Sequence, residues 1–110
     1  MTGLLKLYAR AALALAAALL LAASAAAQQQ PEVHARDTAY TPPTLTVPVG
    51  TTVRFVNDDA DIHTVTAKDG SFDSGLLFQN DTWQYVFNTP GTYEYYCLPH
   101  NWMVGTITVE

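Results

Sequence analysis

The 110-residue chain has one cysteine, Cys97, so no disulfide can form within it. It has two methionines, and one of them is the initiator, which leaves Met103 as the only internal thioether. Positive charge is equally scarce. Beyond residue 30 only Arg36, Arg54 and Lys68 are basic, against ten Asp and Glu, a net charge of −7 with histidine neutral. Such a surface disfavours nucleic acid and anionic lipid and suits a partner with a basic face. No apolar run approaches the roughly 20 residues of a membrane-spanning helix. No stretch after residue 30 keeps a helical period, and there is no internal repeat, linker or second domain.

The first 27 residues have the three-part grammar of a secretory signal. Lys6 and Arg10 supply a positive start. An apolar run follows from Ala11 to Ala23, and Ala25, Ala26 and Ala27 offer small residues for cleavage. No Arg-Arg pair is present, which points to the general secretory route. Residues 1–27 are therefore expected to direct export to the periplasm or the extracellular space, with membrane association if the leader is retained as an anchor. Residues 28–110 then form one small domain, with 28–32 as a loose tail. A small exported domain usually needs a staple beyond its core. A lone cysteine in such a chain is intermolecular, reactive or a metal ligand, and a metal can itself serve as the staple.

The remainder reads as all-β. Strand-like stretches occur at Thr44–Val47, Thr52–Asn57 and His63–Ala67. "TWQYVF" alternates, with Trp83, Tyr85 and Phe87 on one face. Thr92–Cys97 alternates again, with Tyr93, Tyr95 and Cys97 on one face, and Val104–Val109 closes the chain with Ile107 and Val109 as core positions. Pro48-Val49-Gly50 and Pro90-Gly91 are turn signals. Seven or eight short strands at this spacing predict an antiparallel sandwich or barrel.

The chemistry gathers near the C-terminus. Cys97, His100 and Met103 stand at the spacing C-x2-H-x2-M, just after a strand, with Pro99 to help turn the chain. A tight loop of this kind can aim three side chains at one point. His63, where the acidic "NDDAD" loop meets "HTVTA", is the natural fourth member. A thiolate and two imidazoles with a weak axial thioether suit copper that cycles between Cu(I) and Cu(II). Zinc would also accept a cysteine and two histidines, but could not carry electrons. The other histidine beyond the leader, His34, reads as a solvated strand residue with no assigned role.

On these residues the chain resembles the cupredoxins, the small blue copper proteins, and most closely their plastocyanin and amicyanin branch. "YTPPTLTVPVGTTVRFVN" is similar to the family's early strands, "DIHTVTAKDGSFDSG" to the first-histidine segment, and "PGTYEYYCLPHNWMVGTITV" to the C-terminal ligand segment. The resemblance implies an eight-stranded Greek-key β-sandwich with one type 1 copper near one end. It also implies metal ligation by His63, Cys97, His100 and Met103. The two residues between His100 and Met103 match the short loop of amicyanin, whereas Tyr95-Tyr96-Cys97 is similar to plastocyanin. Many relatives have proline where Asn101 stands, and asparagine where Thr64 stands. A Thr64 hydroxyl can make the same kind of tie between the two ligand loops.

An electron carrier is the expected function. A catalytic copper needs an open position for substrate, and oxidases of this class add coppers held by many more histidines. The chain is accordingly expected not to be an enzyme, to take no small-molecule substrate and to be a monomer that docks transiently with redox-partner proteins. The edge of His100 is the expected electron exit, ringed by Leu98, Pro99 and Trp102. The plastocyanin resemblance implies a second route at Tyr96. The competing reading is an exported copper-binding module for storage, delivery or resistance.

Overall fold

A computed structural model describes residues 30–110. The expected leader at 1–27 lies outside the described residues. The described chain is all-β and folds into two four-stranded sheets. The strands are β1 (Glu32–Arg36), β2 (Ala39–Thr41), β3 (Thr44–Val47), β4 (Thr51–Asn57), β5 (Thr66–Ala67), β6 (Thr82–Phe87), β7 (Gly91–Tyr96) and β8 (Val104–Val109). One sheet runs in the order β2-β1-β4-β6 and the other β3-β8-β7-β5. Only the β1–β2 and β7–β8 connections stay within a sheet. Every other connection crosses between the two, which gives the Greek-key weave.

Period-2 burial explains the sandwich. β8 alternates so that Gly105, Ile107 and Val109 turn inward, and β4 does the same with Val53, Phe55 and Asn57. These faces meet around Tyr95 and Phe87, both essentially inaccessible to solvent. The Pro48–Gly50 turn forms as expected. Gly50 has φ of 89°, a left-handed conformation that costs glycine nothing, and its N–H reaches the Phe87 carbonyl at 2.7 Å.

Several expectations change. The sheets are mixed rather than antiparallel, because β1 pairs parallel with β4 and β3 with β8. In each pair the chain crosses to the other sheet before it returns, and alternation along a strand carries no information about direction. Strand structure at 63–67 contracts to Thr66–Ala67, while His63 makes an isolated bridge to Leu77. Glu32, placed by sequence at the end of a loose tail, is the first residue of β1 and pairs with Arg54. His34 is half-buried rather than solvated. Its Nδ1 lies 2.8 Å from Asp58 Oδ2 and its Nε2 lies 2.9 Å from Glu32 Oε2. The loop between β5 and β6 is also part of the core. Phe72 projects from it to meet Tyr85 and Phe87, at ring-centre separations of 4.9 and 5.6 Å.

Candidate metal centre

Two loops at one end of the sandwich converge. The first follows β4 and carries His63. The second joins β7 to β8 and is only as long as its hydrogen bonds allow. His100 N–H donates to the Cys97 carbonyl at 3.2 Å, and Met103 N–H donates to the His100 carbonyl at 2.9 Å. Cys97 N–H then donates to the Met103 carbonyl at 3.1 Å, which closes the loop. The C-x2-H-x2-M spacing is thus two successive tight turns, and the backbone itself fixes where the three side chains begin.

The side chains meet. Cys97 Sγ lies 3.6 Å from His63 Nδ1 and 3.6 Å from His100 Nδ1, and the two Nδ1 atoms are 3.2 Å apart. A point equidistant from three atoms so spaced lies about 2.0 Å from each, which is bonding distance for an imidazole-bound transition metal. His63 and Cys97 are fully buried, and His100 is half-buried. Met103 is buried immediately after this triangle in the same loop. Soft sulfur, two imidazole nitrogens and a neighbouring thioether form a donor set suited to copper.

Hydrogen bonds hold the triangle from outside. Thr64 N–H donates to Cys97 Sγ at 3.3 Å, which disperses charge on a thiolate. The Thr64 hydroxyl accepts the Leu98 N–H at 2.9 Å, so it ties the two loops together as the sequence led one to expect. Thr64 Oγ1 is also 2.9 Å from Thr66 Oγ1, which in turn donates to Asp73 Oδ1 at 3.1 Å. From β2, the buried Tyr40 hydroxyl donates to the Thr64 carbonyl. Burial pushes the Tyr40 phenol far above its ordinary range, so it stays a neutral donor.

Sequence reasoning missed Asp59. Its Oδ2 lies 2.8 Å from His63 Nε2, the ring nitrogen that faces away from Cys97. Burial pushes this carboxyl up, but hydrogen bonds from the Thr38 N–H, the His63 ring and the Asp37 N–H outweigh it and hold Asp59 below the usual carboxylate range. A carboxylate four residues before a histidine in an irregular loop carries no periodic signal. Only the folded loop shows that it is a partner.

The surface at this end is apolar. Leu98, Leu76 and Trp102 are exposed, and Trp102 packs edge-on against the His100 ring at 5.4 Å between centres. A shallow depression lined by Ala60, Asp61, Ile62, Leu76, Pro99 and His100 opens beside them. Tyr96 lies half-buried on the sheet face opposite to Cys97.

A two-sheet sandwich that closes a buried His-Cys-His triangle at one end defines a small metal-binding domain. The chain belongs to the cupredoxin-like family, and residues 9–109 match the model of the cupredoxin-like domain. It is 34% identical over 105 residues to amicyanin-alpha of Methylorubrum extorquens, a match that covers 91% of this chain and 88% of the relative. It is 33% identical over 84 residues to the chloroplastic plastocyanin of Physcomitrium patens, covering 64% of this chain and 50% of that one. Among solved structures, a purple cupredoxin from Nitrosopumilus maritimus superposes with a TM-score of 0.68 at 33% identity, over 74% of this chain and 100% of the other.

Proposed function

We propose that this chain is a blue copper electron-transfer protein whose metal is held by His63, Cys97, His100 and Met103. The observation that carries the reading is the triangle of Sγ and two Nδ1 atoms, preformed around the fully buried Cys97 and His63 with only His100 reaching solvent. Bound there, copper supplies a one-electron couple between Cu(I) and Cu(II). The residues do the rest. Cys97 supplies an anionic sulfur, with the Thr64 amide directed at it. His63 and His100 present Nδ1, and Met103 offers a weak thioether from the base of the loop. The three backbone bonds from Cys97 to Met103 and the Thr64–Leu98 tie hold these donors in one arrangement, so a change of charge needs little rearrangement.

His100 is the donor that reaches the surface, and Leu98, Pro99, Leu76 and Trp102 surround it. This apolar rim is the docking face for transient contact with redox-partner proteins. The surplus of acidic residues favours a partner with a basic rim. Residues 1–27 act as the leader that takes the domain out of the cytoplasm.

Met103 separates an electron carrier from a copper-storage module. A thioether contributes little to holding copper beside a thiolate and two imidazoles, and acts mainly on the balance between oxidation states. Met103→Leu removes a donor that helps the more highly charged ion, so the midpoint potential should rise. Met103→Gln supplies a harder oxygen, so it should fall. The shifts should be on the order of 50 mV in each direction, about tenfold in the ratio of affinities for a one-electron couple. Voltammetry of both variants, beside a Cu(I) competition titration, tests this. Loss of Cu(I) affinity without opposed shifts in potential would favour storage.

A further inference from the structure

The Asp59 carboxylate is held in place before it meets His63. Asp37 N–H donates to Oδ1 at 2.8 Å, and Thr38 N–H donates to Oδ2 at 3.0 Å. Both amides come from the turn between β1 and β2, where Asp37 and Thr38 have φ of 53° and 58°. Left-handed backbone at two successive residues turns neighbouring N–H groups toward one point and makes a small anion-binding hollow. On the other side, Asp59 N–H donates to Asn57 Oδ1 at 2.9 Å. Asn57 is fully buried, and its Nδ2 donates to the Asp61 and Leu77 carbonyls at 2.9 and 2.8 Å. Leu77 is bound back to His63 by two backbone hydrogen bonds of 3.1 and 2.8 Å. The carboxylate, the loop and the imidazole are one connected unit.

This unit treats the two imidazoles differently. His63 Nε2 faces a fixed anion, so in the neutral ring that nitrogen carries the proton and Nδ1 keeps its lone pair toward Cys97 Sγ. Among the described residues His100 has no carboxylate partner, and its ring edge lies against Trp102 instead. An N–H donated to a carboxylate also pushes electron density onto the far nitrogen and makes it a stronger donor to a more highly charged ion.

We propose that Asp59, clamped by the β1–β2 turn, is a positioning residue. It fixes the tautomer of His63 and through that ring biases the site toward Cu(II). The inference rests on His63 being a ligand, so the test must separate the two. In metal-free protein, the nitrogen-15 chemical shifts of His63 should report protonated Nε2 and free Nδ1. Asp59→Asn should mix the tautomers, because a neutral amide no longer selects one. In loaded protein the same variant should weaken Cu(II) binding relative to Cu(I) by about tenfold, the lower end of what outer partners of metal-bound histidines contribute. Asp58→Asn removes a like charge one residue away without touching His63, and should leave that ratio within about twofold because that carboxylate is already paired with Arg36. A single tautomer that persists in Asp59→Asn, or an equal shift in Asp58→Asn, would overturn the positioning role while leaving the ligand set intact. Failure of the His63 Nδ1 resonance to move on adding Cu(I) would overturn the ligand assignment itself, and the proposal with it.

Discussion

Cys97→Ser should produce a folded, colourless protein. The wild type loaded with Cu(II) should absorb intensely in the visible, from charge transfer between thiolate and metal. Serine is nearly the same size, and Thr64 N–H can still donate to its oxygen, so the loop should close as before. What disappears is the soft anionic donor. Partners that merely touch a metal ligand contribute about 10–100-fold to affinity. Removing the thiolate itself should therefore cost more than about 100-fold in copper affinity. Copper titration followed by visible absorbance, with far-ultraviolet circular dichroism to confirm folding, checks both halves. A variant that keeps the band would remove Cys97 from the site. A variant that unfolds would mean that the thiol's packing, and not its chemistry, governs this position.

Gly105→Ala should be the most damaging single methyl in the domain. Gly105 on β8 lies directly opposite Tyr95 on β7. A side-chain carbon at Gly105 would overlap the Tyr95 ring, with even the more distant Cε2 only 2.7 Å away. Real side chains do not approach so closely, so one of the two must move. Tyr95 has nowhere to go. It is wholly buried, edge-on to Tyr40 at 4.7 Å and to Phe55 at 5.7 Å between ring centres. Overpacking a full core costs about 1–3 kcal/mol and sometimes more. The upper end applies here, because the obstacle is a rigid ring locked between others. For a domain of this size about 3 kcal/mol lowers Tm by more than about 10 °C. Urea denaturation should show the loss, and Tyr95→Leu in the same chain should recover part of it, since the two positions share one volume. Additive losses would show that the ring is not the obstacle.

The C-terminal half was the most legible part of the chain. "TWQYVF", "GTYEYY" and "VGTITV" each alternate, and each is a strand whose inward residues are those that the alternation selects. The loop from Cys97 to Met103 stood out as a candidate for another reason. Cys97, His100 and Met103 are rare residue types in this chain, and they fall within seven positions. His63 could be proposed because only one other histidine lay beyond the leader. What stayed hidden has no local signature. Phe72 sits among polar and turn-forming residues, and Leu77 lies between Leu76 and Phe78, which are both exposed, so no local pattern marks either as buried. The parallel pairing of β1 with β4 depends on the path between them. Asp59 looks like any acidic loop residue until the β1–β2 turn presents two amides to it.

His63 and Cys97 lie on opposite sides of a long excursion of the chain that includes β5, β6 and β7. A metal bonded to both would convert that excursion into a closed ring of some 35 residues, although the protein has no second cysteine with which to close one covalently. By chain-entropy reasoning, an unfolded chain that kept both bonds would be restricted by about 3–4 kcal/mol, so unfolding and release of the metal are coupled. Reducing agents would leave this ring closed, whereas a chelator would open it. Colour and tertiary structure should consequently vanish in one transition on heating, and the visible band would serve as a gauge of how much of the population remains knitted together.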